Sequence, residues 1–412
     1  MTSMPRNPAV LVNCYVTGIG MMQSLAMANV DVLTLERDEW MGHYRPLMWM
    51  GRYSTIPKLK MTYRPRRGET LAGALLDLAA HFEGQAVLFI SDDDDLEDVL
   101  DNYEALSARY HLPLSKEIGH RVLDKDWQYD LAERVGHPLP RYVRFSGGER
   151  PPLEQLGFPL IVKPPSRAAA AGARVFRLRV IRDRSELERC LEFIARNYAG
   201  RAFQAAEIIP GGPEYLYTVG SYSNRDGRVV RSYTGRKLTQ FPYDHGSVSV
   251  AESLALPTAV VEKAQDLLNE GRIPGITQVE LKMDPRDGRF KLIEINDRGW
   301  LWVKLAAYSG VNLTLMQYYD LTSDPRLAVV AAQPQYNDQF FVLDFHVKMN
   351  NLDSERQLIR ELRRYKQLVP AVYERGEWKL NAAYWLSSLL RRTKRRVVGQ
   401  PPREQQLVSF DE

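Results

Sequence analysis

The chain has 412 residues, and its 55 lysines and arginines face 51 aspartates and glutamates, for a formal net charge of +4. That near-balance excludes a polyelectrolyte coat for nucleic acid, and 44% hydrophobic with 26% charged residues is the composition of a folded globular protein. The length suffices for two or three domains, while two cysteines, Cys14 and Cys190, cannot build a disulfide framework or a cysteine-rich zinc site.

Both cysteines sit in apolar runs, which predicts buried, reduced thiols. No uncharged apolar run reaches the roughly 18 residues a spanning helix requires. Met1–Pro8 lacks the apolar core of a secretory signal, so the expectation is a cytoplasmic protein.

In chain order, Ala9–Val16 reads as a buried strand. Thr17, Gly18 and Gly20 lead into a helical stretch, Met21–Ala28, and a second strand, Val30–Leu35. This is the opening of a doubly wound α/β unit. Gln23 stands where a dinucleotide fingerprint places its third glycine, so that motif is incomplete. A helix over Leu71–His81 and a strand over Ala86–Ile90 follow. They lead into the acidic run Asp92–Asp95, which is expected to be a solvated loop at a helix N-terminus, where carboxylates meet the helix dipole favourably. A first α/β domain is placed at 1–115.

From 116 to 325 the pattern becomes helices with strand pairs. Asn224–Gly227 and Asp284–Gly288 are turn sequences between apolar alternations and predict two hairpins. In the second, Val279, Leu281 and Met283 alternate with Gln278, Glu280 and Lys282, and on the return strand Glu294 and Asn296 share one face by the period of two. Two carboxylates and an amide converging across neighbouring strands suit Mg²⁺, which takes its other oxygens from water and phosphate. Taken alone, they also fit an exposed strand face. Further motifs flank the hairpin. Lys125 follows Asp124 at the start of a helical stretch, and Lys163 ends the apolar strand that begins at Gly157. An alanine-rich loop, Ser166–Gly172, comes next, and Glu207 and Glu214 bracket the turn at Ile209–Gly212. No Ser/His/Asp or Cys/His arrangement is evident, and His245 and His346 are expected to be structural.

Lys125, Lys163, Glu207, Glu214, Glu280 and the segment Glu294-Ile-Asn-Asp-Arg298, in this order, resemble the ATP-grasp superfamily. The resemblance covers 116–322 closely and the region before it more loosely. Within that superfamily the K-P, I-P-G, R-K-L and E-I-N-x-R segments look most like the D-aspartate-ligase-like carboxylate–amine ligases.

The resemblance implies an α/β and α+β architecture, an ATP-grasp fold behind an N-terminal Rossmann-like pre-ATP-grasp domain. It implies ATP-dependent amide formation through an acyl phosphate, releasing ADP and phosphate. It also implies roles. Lys125 and Lys163 would bind the α- and β-phosphates, Glu207 and the backbone near Ile209 the adenine, and Glu214 the ribose. Glu280, Glu294 and Asn296 would hold Mg²⁺, with Mn²⁺ as a substitute. Lys237 and Arg298 would meet the substrate carboxylate or acyl phosphate; a solvated strand lysine is the rival reading for Lys237. The alanine-rich loop departs from the Gly/Ser-rich loops of relatives. The implied partners are a small carboxylic acid and an amine, among them amino acids and cell-wall or nucleotide-linked precursors. A non-catalytic nucleotide-binding regulatory protein is the alternative.

The stretch from 326 to 412 is a C-terminal extension. Trp378, Ala382, Trp385 and Leu389 recur at helical spacing and lead into Arg391-Arg-Thr-Lys-Arg-Arg396. Peripheral contact of 378–396 with an anionic membrane, a helix packed on the ligase domain, and a polyanionic substrate all fit. Nucleic acid does not, because the basic residues are local and aromatic stacking platforms are not evident elsewhere.

Overall fold

The computed structural model describes residues 4–38, 50–112, 114–165, 178–241, 246–343 and 368–387. The alanine-rich loop 166–172, His245, residues 344–347 with His346, Leu389 and the basic run 391–396 lie outside them.

The N-terminal region is a five-stranded sheet of order β3-β2-β1-β4-β5, parallel throughout. Its strands are β1 (Ala9–Val12), β2 (Val32–Arg37), β3 (Leu59–Tyr63), β4 (Ala86–Phe89) and β5 (Tyr110–His111). β1 and β4 are buried along their whole length, as a sheet covered on both faces requires. Helix α1 (Val16–Ala26) begins five residues earlier than the sequence pattern places it. Gly18 and Gly20 are therefore helical residues rather than a loop. A Cβ on Gly20 would lie 3.0 Å from Cβ of Lys304, so this glycine serves close helix packing.

Helices α2 (Leu71–Leu78), α3 (Asp93–Asp101), α4 (Tyr103–Ser107), α5 (Lys116–Leu123) and α6 (Lys125–Arg134) lead into a four-stranded antiparallel sheet of order β6-β9-β7-β8. It comprises β6 (Tyr142–Ser146), β7 (Leu160–Lys163), β8 (Arg179–Ile181) and β9 (Ala202–Glu207), and it is backed by α7 (Arg184–Asn197). Leu187, Cys190, Leu191 and Ile194 of α7 pack with Phe203 and Leu160 of this sheet in a separate small core.

A larger sheet has the order β14-β13-β10-β11-β12-β15-β16. Its strands are β10 (Leu216–Ser223), β11 (Val229–Phe241), β12 (Ser247–Ser253), β13 (Gly275–Met283), β14 (Phe290–Asn296), β15 (Phe340–Val342) and β16 (Leu368–Pro370). Both expected hairpins are present, as β10–β11 and β13–β14. The sheet continues past residue 325, since β15 pairs antiparallel with β12 and β16 pairs parallel with β15. One apolar core joins α1, Trp300, Trp302 and the helices α8 (Val303–Tyr308) and α9 (Leu313–Leu321), the last two packed on the large sheet. The first helix is thereby fixed against the elements that follow the second hairpin. Both cysteines are buried and free, and burial pushes the Cys14 thiol well up. Among the described residues, no helix is long and apolar enough to cross a membrane.

Candidate active site

The second hairpin sets the site through a bulge. Leu281 pairs with Leu292 and Glu280 with Glu294, so Ile293 is the extra residue on β14. Leu292 and Ile295 both point into the core at 0% and 3% exposure. Without the extra residue, Glu294 would share the core face of Leu292. With it, Lys282/Lys291, Glu280/Glu294 and Gln278/Asn296 form three consecutive pairs on one face.

Each carboxylate in this row has its own cation. Lys125 Nζ lies 2.7 Å from Glu294 Oε2, and Lys237 Nζ lies 3.0 Å from Glu280 Oε2. Lys237 is only 8% exposed, so it is not a solvated strand lysine. The Asn296 amide donates to Glu294 Oε1 at 3.2 Å and to Gln278 Oε1 at 3.1 Å, which leaves its own oxygen as a free acceptor among the described residues. Gln278 in turn donates to Thr218 at 2.9 Å. Lys125 holds the Glu294 carboxyl well below the usual carboxylate range, and Glu294 raises Lys125 in return.

Lys125 reaches this position because Asp124 caps α6, accepting from the Asp126 amide at 2.8 Å, and because buried Gln128 ties the helix to β14. The Gln128 side chain donates to the Ile295 and Val122 carbonyls at 2.8 and 2.7 Å and accepts from the Ile295 amide at 2.8 Å. Lys163, at the end of β7, lies with its Nζ 5.5 Å from the Tyr129 ring centroid. Burial, and then the nearby Lys125 charge, push its ammonium down to about 7.

At the opposite end of the row, Glu207 is 6% exposed. It accepts from the Arg141 amide at 2.9 Å, from Arg141 Nε at 3.1 Å and from Arg286 at 3.0 Å. Burial raises this carboxyl, but those hydrogen bonds outweigh it and hold it below its ordinary value. Its side chain is thus engaged with protein cations, and Ile209 beside it is buried. Glu214, in the short turn of helix at 213–215, is exposed and accepts from the Gly212 amide at 3.3 Å.

β14 ends at Asn296, so Arg298 lies just beyond the strand. It still enters the same cavity, where it forms an ion pair with Asp93 at the start of α3. The acidic run is therefore only partly the solvated loop expected of it. Asp92 caps α3 through the Asp94 amide at 2.9 Å. Asp95 is 3% exposed and accepts from the Asn13 amide at 3.0 and 2.8 Å, and burial pushes its carboxyl up to about 6.

The cavity that Arg298 enters has a volume of about 570 Å³, and Lys125, Lys163, Glu207 and Glu214 are not among the described residues that line it. Glu280, Glu294, Asn296, Lys237 and Arg298 line one side. Asn13, Arg37 and Ser91, at the carboxyl ends of β1, β2 and β4, line another, where open α/β sheets place their ligands. Trp300 and Trp302 close it, with ring centroids 6.1 Å apart at 87°. Sequence reasoning missed both tryptophans, although Trp-Leu-Trp directly after Arg298 was a visible signal. It also missed Gln128, which no local pattern marks. Gln278 follows from the same alternation that exposed Glu280.

Trp300 is also fixed from behind. A Cβ on Gly220 of β10 would come within 2.2 Å of its ring. Gly220→Ala is expected to cost about 1–3 kcal/mol by overpacking and to push the indole toward the cavity. Thermal melting should show the loss, and nucleotide affinity should be unchanged.

No family model matches the sequence. Solved structures do match. The L-amino acid ligase of Bacillus licheniformis is 16% identical, with a TM-score of 0.56 over 80% of this chain and 78% of its own. Biotin carboxylase of Campylobacter jejuni, solved with an ATP analogue, is 16% identical with a TM-score of 0.58 over 76% and 70%. The D-alanine–D-alanine ligase of Bacillus anthracis is 16% identical with a TM-score of 0.51 over 79% and 98%.

The fold is ATP-grasp. The four-stranded sheet carries Lys163 and Glu207, and the large sheet carries Glu280, Glu294 and Asn296. Among the described residues, no group of three or more His, Cys, Asp or Glu side chains is arranged to hold a metal.

Proposed function

We propose that the protein is an ATP-dependent carboxylate–amine ligase, joining a small acid to an amine through an acyl phosphate with release of ADP and phosphate. The observation that supports this most is the row of paired charges on β13 and β14, facing a cavity that also receives the strand ends of the parallel sheet. A hard cation fits the donor set, since Glu280 and Glu294 oppose each other across the ladder and Asn296 keeps an acceptor oxygen. Mg²⁺ held there would neutralise phosphate charge during transfer.

In this reading the chain's own residues mainly position and neutralise. Lys125 and Lys163 bind the α- and β-phosphates. When phosphate enters, Lys125 would exchange its carboxylate partner for it, and the Glu294 oxygens would then be among those able to hold the cation. Because the Glu207 side chain is already engaged, its contribution to the adenine site comes with the main chain of 207–209, and Glu214 takes the ribose hydroxyls. Lys237 and Arg298 meet the substrate carboxylate and the charge that develops on it. Phosphoryl transfer between anions requires such neutralisation and in-line positioning rather than a protein nucleophile. Support for the narrower D-aspartate-ligase-like assignment is that its R-K-L and E-I-N-x-R segments bring Lys237 and Arg298 into one cavity.

The test is a screen for ADP release with Mg²⁺-ATP and paired amino acids, other amines and cell-wall precursors. Release that depends on both an acid and an amine is expected. Tight nucleotide binding with no release for any pair would overturn the ligase reading in favour of a regulatory nucleotide binder.

A further inference from the structure

The helix over residues 378–387 is docked by one face and bare on the other. Leu380, Ala383 and Ser387 are 0%, 9% and 4% exposed, and Tyr384 packs against the main core. Glu377, just before it, is 4% exposed and accepts from the Thr55 amide at 2.9 and 3.0 Å. Asn381 closes the preceding turn by donating to the Glu374 carbonyl at 2.8 Å. These contacts fix the helix rotation. Trp378 and Trp385, two turns apart, are consequently turned outward at 68% and 61% exposure, with Leu386 beside them at 45%. The aromatic stripe visible in the sequence is thus not the face that packs on the protein.

Isolated exposed apolar residues are ordinary, but two tryptophans and a leucine along one edge of a firmly docked helix form a patch. Tryptophan is the side chain best suited to the headgroup layer of a bilayer, having an apolar body and a polar edge. The charge of the surrounding sequence points the same way. From Trp378 to Arg403 the chain carries seven cations, Lys379, Arg391, Arg392, Lys394, Arg395, Arg396 and Arg403, and no aspartate or glutamate. That segment alone is more positive than the net +4 of the whole chain.

We infer that the outward face of the helix over 378–387 is a peripheral docking surface for an anionic lipid bilayer, with Trp378, Trp385 and Leu386 entering the headgroup layer and the cations that follow in sequence, Arg391 to Arg396, supplying attraction to lipid phosphates whatever their conformation. Apolar insertion and a polybasic segment are two weak signals that together give stable, reversible attachment. The ligase reading does not depend on this surface, since none of its described residues lines the candidate active-site cavity.

The full chain should co-sediment with vesicles of phosphatidylcholine and phosphatidylglycerol at low salt, and not with phosphatidylcholine alone. Trp378→Ala/Trp385→Ala should weaken partitioning by about tenfold or more, because most of the buried apolar area is lost. Replacing Arg391, Arg392, Lys394, Arg395 and Arg396 by glutamine, or raising the salt, should remove the phosphatidylglycerol dependence. Both variants should bind ADP as the wild type does, which shows that they fold. Failure of the wild type to bind anionic vesicles, or equal binding by the double tryptophan variant, would overturn the inference. So would a wild-type dimer that the tryptophan variant converts to monomer without lipid binding, since the face would then be a subunit interface.

Discussion

Glu294→Gln is expected to lower ADP release by at least about 10²-fold, the scale on which removing one preorganised electrostatic group acts. The substitution preserves shape and removes charge. In the free protein that charge holds Lys125 at 2.7 Å and accepts from Asn296 at 3.2 Å. With nucleotide bound, the same oxygens would hold the metal. Side chains of the pair are 34% and 30% exposed, so solvent screens the lost attraction and the melting temperature should fall by only a few degrees. Two controls separate the metal role from simple neutralisation of Lys125. Raising Mg²⁺ or Mn²⁺ should recover part of the rate in Glu294→Gln if a ligand was lost. Lys125→Met/Glu294→Gln should be no better than the single variant, because a phosphate-binding lysine would be lost as well. Turnover at the wild-type level in saturating Mg²⁺ would refute the assignment.

The hairpin was legible because its information is local. Alternation of period two put Glu280 opposite the apolar set and Glu294 beside Asn296, and β13 and β14 obey that alternation over most of their length. Only the bulge at Ile293 escaped, since nothing in Leu-Ile-Glu-Ile-Asn marks which residue is extra. Gly18 and Gly20 misled for the opposite reason. Glycine signals a loop, but Gly20 answers to Lys304, a neighbour brought close only by tertiary packing, and Gly18 to the Cys14 side chain one turn earlier. The acidic run shows the same limit. Its role as a helix start is local and was visible. The burial of Asp95 under Asn13 and the pairing of Asp93 with Arg298 join residues 82 and 205 positions apart in sequence. Strands β15 and β16 also add to a sheet whose other members end at Asn296 and earlier, and no local pattern announces such pairing.

Lys163→Arg should abolish a pH dependence of ADP affinity that the wild type shows above neutrality. In the free site the Lys163 ammonium is pushed down to about 7, first by burial and then by the charge of Lys125. Glu294 and Asp126 oppose that shift only in part, and Tyr129 lies against the amine without carrying charge at neutral pH. Above pH 7 the site is therefore mostly neutral, whereas an anionic diphosphate favours the charged amine. Binding must take up a proton, so affinity falls as pH rises through the free-site value. The limit is about tenfold per pH unit for one proton. Below pH 7 this dependence flattens. Arginine stays protonated throughout the range, so Lys163→Arg should bind with no such slope, and Lys163→Met should bind weakly at every pH. Titrations with ADP in EDTA remove any metal contribution, and calorimetry in buffers of different ionisation enthalpy counts the proton directly. The same shift predicts the free protein's stability. The unfolded chain binds a proton near pH 8 that the folded site refuses, so stability should rise from about pH 7 toward pH 10, and ADP should reduce that rise. A wild-type ADP affinity that does not change between pH 7 and pH 9 would show that Lys163 is not the amine that meets the phosphates.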